Sequence, residues 1–127
     1  MAPLALLLIT KIVVTGLLVG IPFLLLPAAV VERLSGFEAR PRALYRLYGM
    51  AIIALLVGYG GGLVEVLDGS FPWGVAAMGI VSNGGAAIVL VLTGQARTRR
   101  MLTAFFVAIT AGLVYAAAMP EAAVRPL

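Results

Sequence analysis

Residues 72–92 read PWGVAAMGIVSNGGAAIVLVL. No charged side chain interrupts this stretch, and only Ser82 and Asn83 break its apolar character. At about 1.5 Å rise per residue, a helix of this length covers the roughly 30 Å of hydrocarbon in a bilayer. A helix is the natural conformation, because lipid offers no partner to an open backbone N–H or C=O.

Three further runs of the same kind flank it. The first covers about residues 3–26 and is broken only by Lys11; the second covers about 43–67; the last covers about 101–119 and carries no charge. The whole chain has 127 residues, 63% of them hydrophobic and 11% charged, with a mean hydropathy of +1.15. Soluble domains run at about 45–50% apolar and about 25% charged residues. The gap excludes a disordered chain and an ordinary soluble globule. The expected fold is all-α: one polytopic membrane domain, 1–127, built as an antiparallel bundle of four transmembrane helices with a short interfacial helix on the inner side. The first run has no basic n-region and no small-x-small cleavage site, so it reads as a retained helix and not a signal peptide.

Charge places the connections. Arg33, Arg40 and Arg42 lie between the first two runs, with Arg46 just inside the second. Arg97, Arg99 and Arg100 lie between the last two, whereas the middle connection carries Asp68 with Glu65 nearby. Short basic loops stay on the cytoplasmic side. Both termini are therefore expected on the outer, periplasmic side of a cell (inner) membrane, with the seven arginines at the inner face, where they attract anionic lipid. Pro27 opens a segment, 28–35, that Gly36 closes; its Val30, Val31 and Leu34 oppose Glu32 and Arg33, which suits a helix lying on the inner surface. Tyr45 and Tyr48 form a collar with Arg42 and Arg46 there, and Phe71 and Trp73 anchor the outer side.

Small residues recur at four-residue steps: Gly16 and Gly20; Ala54, Gly58 and Gly62; Gly79, Asn83 and Ala87; Ala104, Ala108, Gly112 and Ala116. A step of four keeps side chains near one face. Small side chains there let membrane helices approach closely.

Lys11 is the one basic residue within an apolar run. A charge in hydrocarbon costs at least about 2.5–3.5 kcal/mol. Three readings follow: Lys11 snorkels to outer headgroups, it pairs with Glu65 or Asp68, or these groups form a cation or proton site. Thr15, Tyr59, Asn83 and Thr110 form a polar layer near the midplane, as hydrogen-bonding glue between helices or as a small polar cavity.

Other chemistries lack their residues. The chain has no Cys and no His, hence no disulfide, no thiolate nucleophile, no imidazole base and no usual zinc, haem or iron–sulfur site. No metal or cofactor is expected, and no catalytic residue. Gly58, Gly60, Gly61 and Gly62 lie inside an apolar helix, not between a strand and a helix, so they form no phosphate loop. Basic inner loops follow from membrane orientation and do not imply nucleic acid.

The Leu26-Pro27 end of the first helix, the Leu34-Ser35-Gly36 segment and the Arg46-Leu47-Tyr48-Gly49 opening of the second resemble the DoxX-like group of small four-helix membrane proteins. The likeness covers the first half of the chain. It implies the fold and assigns no functional residue, since many members have no established activity. The expected function is a non-catalytic subunit or assembly factor that packs against another membrane protein or itself. The alternative is a homo-oligomeric channel or transporter for an ion or small solute, with Lys11 and Glu65 in its outer vestibule.

Overall fold

The computed structural model describes residues 1–36 and 43–127. Every regular element among them is helical: α1 (Pro3–Thr15), a π turn (Gly16–Gly20), α2 (Ile21–Leu25), α3 (Ala28–Ser35), α4 (Ala43–Leu67), α5 (Trp73–Leu92), α6 (Arg100–Ala118) and α7 (Pro120–Val124). Four stretches are long and apolar enough to cross a membrane: Pro3–Leu25, Leu44–Leu67, Trp73–Leu92 and Arg100–Ala118. Leu18, Val57, Val81, Leu92 and Met101 stand well exposed on these helices. Such outward apolar faces are those of a multi-pass membrane protein. Arg40 and Arg42 lie outside the described residues.

The described chain gathers into two compact units, residues 9–61 and residues 1–8 with 62–127. In the unit 9–61, Pro22 explains why the first long helix is not α throughout. Its ring removes an N–H and collides with the carbonyl four residues back. The chain widens by one residue: the Ile21 N–H donates to the Gly16 carbonyl, five residues away. Pro27 ends the helix, with Leu26 already extended (ψ 152°). The Pro27 carbonyl then accepts from Val30 and Val31 and starts α3, and the Gly36 N–H closes it on Glu32 at 2.7 Å.

Glycines set how α1, the π turn and α2 lie along α4. A Cβ on Gly16 would stand 3.3 Å from Leu56, one on Gly20 2.8 Å from Ile53, and one on Gly49 2.7 Å from the Leu24 backbone nitrogen. As the first chain advances 16, 20, 24, its neighbour runs back 56, 53, 49. The two are antiparallel and in steady register. At Gly49 backbone meets backbone, so no side chain fits.

In the unit 1–8 with 62–127, two tight turns join the long helices. Ser70 and Gly69 donate to Glu65 and Val66, and Gln95 and Gly94 donate to Leu90 and Val91. Both are Schellman closures, and Gly69 (φ 83°) and Gly94 (φ 73°) take the left-handed position that a glycine adopts without penalty. A Cβ on Gly62 would stand 2.8 Å from Val75, and one on Gly112 3.1 Å from Leu7. The buried face of α5 is Ala76, Gly79, Asn83, Ala87 and Leu90.

On α6 the buried face is Ile109, Leu113 and Ala116. Ala104 and Ala108 are exposed, unlike the packed role expected for Ala108. Four residues turn a helix by 400°, so a step-of-four stripe drifts about 40° per step. From Ala104 to Ala116 the drift is about 120°, enough to carry one end of the stripe off the face that the other end buries.

Candidate functional site

Besides Tyr45, three polar side chains are buried among the described residues of the unit 9–61. Lys11 and Thr15 are each 5% exposed, and Tyr59 is 1% exposed. Lys11 and Thr15 are four residues apart on α1 and share a face. The register set by Gly16 against Leu56 and Gly20 against Ile53 brings Tyr59 of α4 to the level of residues 13–14. Tyr59 thus stands at a height between Lys11 and Thr15. Sequence spacing had put Tyr59 and Thr15 in one polar layer but left Lys11 to an outer group; the register joins all three.

Thr15 differs from three other threonines. Thr93, Thr103 and Thr110 each donate to the carbonyl four residues back, at 2.7, 2.9 and 2.7 Å. The Thr15 hydroxyl oxygen is buried and meets no hydrogen-bond partner among the described residues. Just beyond it the π turn begins. A π turn inside a membrane helix is a recurrent feature of functional sites, and Pro22 is its local cause.

The other half of the expected midplane layer belongs to the second unit. Asn83 is buried, and its amide nitrogen donates to the Gly79 carbonyl at 2.7 Å and to Ser82 Oγ at 3.4 Å. Thr110 is half-buried and donates back to Phe106; a Cβ on Gly84 would rest 3.4 Å from its methyl. Both bonds run within their own helices. Glu65 and Asp68 are exposed at the end of α4, whereas Lys11 is buried. Among the packing glycines, Gly16, Gly20, Gly62 and Gly79 are buried, and Gly58 and Gly112 are half-buried.

Of the arginines, Arg33, Arg97 and Arg100 are exposed and Arg99 is half-buried. Arg46 has a more specific role than lipid contact. Its guanidinium Nη1 donates to the Phe23 carbonyl at 3.0 Å. That carbonyl would ordinarily accept from residue 27, but residue 27 is proline and has no N–H. Phe23 also meets Tyr45 and Tyr48 edge-on, with ring centroids 5.4 and 5.2 Å apart. The Phe71 and Trp73 rings meet at 4.5 Å, tilted by 56°, at the start of α5.

An open groove of about 560 Å³ runs between α5 and α6, floored by Gly84 and Ala87 and edged by Val107, Val114, Tyr115 and Ala118. Beside it α6 exposes Ala104, Ala108, Ala111, Tyr115 and Ala118. These positions repeat at intervals of four and three, the straight seam of a helix laid along another helix. Among the described residues no three His, Cys, Asp or Glu come together as a metal site. Compared with known proteins, the chain matches no family model, no curated protein and no solved structure.

Proposed function

We propose that the chain is a small integral membrane subunit or assembly factor, without catalysis of its own, that packs through α6 against a helix of a partner membrane protein. The exposed seam Ala104, Ala108, Ala111, Ala118, with the apolar groove beside it, carries this reading. Between membrane helices there is no hydrophobic force, so close backbone approach over small residues drives association. The seam offers that approach, and Tyr115 adds a hydroxyl at its C-terminal part.

The same proposal takes the four long helices as an antiparallel bundle in a cell (inner) membrane, with both termini outside. Arg33, Arg97, Arg99 and Arg100 would then meet anionic headgroups at the inner face. On α3, Val31 is buried while Leu34 and Arg33 are exposed, which supports a helix lying in the interface. The likeness to the DoxX-like group supports the fold and leaves the activity open.

Purification in mild detergent tests the function. The expected result is co-purification with a second membrane polypeptide, lost in the Ala108→Leu, Ala111→Leu double variant at unchanged thermal stability, since both residues are exposed. A pure homo-oligomer that passes ions in liposomes would instead establish the channel reading. Orientation is read from single cysteines placed at Ser70 and Gln95: a membrane-impermeant maleimide added outside should label the first and spare the second.

A further inference from the structure

We propose that Gly60 and Gly61 form a hinge in α4, at which the last turns of that helix tilt while its first part stays seated. The inference does not draw on the α6 seam and would survive its failure.

Its root is a pair of glycines that packing does not require. Glycine is the least favourable helix residue after proline, because of the backbone freedom it loses on folding. Elsewhere in α4 the choice has a packing reason: a Cβ on Gly49 would stand 2.7 Å from the Leu24 nitrogen, and one on Gly62 2.8 Å from Val75. A Cβ on Gly60 or Gly61 would meet nothing within 4 Å among the described residues.

Their position supplies the reason. The division between the two compact units falls between Gly61 and Gly62. Before it, α4 is held by Leu24 at Gly49, by Gly20 at Ile53 and by Gly16 at Leu56, and Tyr59 is buried. Beyond it, Gly62 lies against Val75 and Val66 is buried. The two ends of α4 are thus gripped by different neighbours, and the two positions between Tyr59 and Gly62 are both glycine. No side chain there opposes a change of φ and ψ. Hinges are built from a few residues that absorb such changes, and glycine is a recurrent kink site in helices. α1 crosses the same division between Leu8 and Ile9 and has no glycine before Gly16, so it limits the amplitude. The tilting end of α4 carries Glu65, with Asp68 just past it, both exposed; the hinge therefore moves two carboxylates.

The test is pulsed electron-spin distance measurement on the full chain in lipid nanodiscs. The chain has no cysteine of its own, so introduced pairs take the labels alone. Leu47→Cys with Val64→Cys, both at exposed sites, spans the glycines over about 26 Å of straight helix. Leu44→Cys with Val57→Cys, also exposed, lies wholly before them over about 20 Å. The spanning pair should give a distance distribution at least twice as broad as the other. Adding Gly60→Ala and Gly61→Ala should narrow it to the width of the other pair, with no fall in melting temperature. Equal widths in the chain with both glycines would overturn the proposal, as would a spanning distribution that the two alanines leave broad. Should the double alanine variant not fold, Gly60→Ala alone carries the same reading.

Discussion

Arg46 does for Phe23 what residue 27 is chemically unable to do. The guanidinium donates to the Phe23 carbonyl at 3.0 Å, and the residue that would supply an N–H in a continuing helix is Pro27. A side chain twenty-three positions later thereby satisfies a backbone group at a helix end.

Removing that donor should cost what a hydrogen bond to a charged group is worth. Arg46→Ala is expected to lower unfolding free energy by about 1.5–3 kcal/mol, measured by denaturation in detergent. In a Pro27→Ala background, where an N–H is restored, the same change should cost about 1 kcal/mol less. Strict additivity of the two substitutions would break the link between them.

Gly49 and Gly61 lie on one helix and should respond oppositely to the same substitution. A Cβ at Gly49 runs into the Leu24 nitrogen and the Phe23 carbonyl carbon, at 2.7 and 3.0 Å, whereas one at Gly61 meets nothing within 4 Å. Gly49→Ala should destabilise by about 1–3 kcal/mol, because backbone atoms must move. Gly61→Ala should be neutral or stabilise by up to about 1 kcal/mol through helix propensity. The two melting temperatures decide it.

Gly62 and Val75 should behave as a rescue pair. Gly62→Ala places its methyl 2.8–2.9 Å from all three Val75 side-chain carbons, a loss of about 1–3 kcal/mol. Val75→Ala opens that space, so the double variant should recover most of the loss relative to Val75→Ala alone. Equal penalties in the two backgrounds would show that α4 and α5 do not meet at Gly62.

Pro22→Ala restores a backbone N–H and removes the cause of the π turn. Return to α geometry restores one residue's worth of winding, rotating α1 by about 100° relative to α2. Single cysteines at Val13, now exposed, and at Thr15, now buried, read this out. Before the change a spin label on the first alone should collide freely with dissolved oxygen; after it the contrast should disappear. An unchanged pattern would assign the π turn to packing and not to Pro22.

Much of the architecture was legible in side-chain hydrophobicity, because length and apolarity are local properties. Residues 72–92 announce α5, and Gly79, Asn83 and Ala87 do fall on its buried face. Pro27 and Gly36 bound α3 by their own backbone chemistry. What escaped was set by register between helices. Nothing near Arg46 in sequence says that Phe23 needs a donor, and nothing near Gly49 says that Leu24 will lie against it. Pro22 was visible, yet the one-residue widening ahead of it follows from how the chain relieves the clash. Ala108 looked packed because a step of four was treated as a straight line. Tyr59 fell at a height between Lys11 and Thr15 only once the glycine contacts had set the offset between α1 and α4.

The two Schellman turns also lock the sidedness of charge. Only residues 68–72 separate α4 from α5, and 93–99 separate α5 from α6. Even drawn out straight these links reach about 18 and 25 Å, short of the roughly 30 Å needed to traverse a bilayer. Once the helices are inserted, Asp68 and Trp73 must share one leaflet's rim, and Arg97 and Arg99 the opposite one. Neither hairpin can be inverted by itself, so an insertion error would have to flip α4, α5 and α6 together.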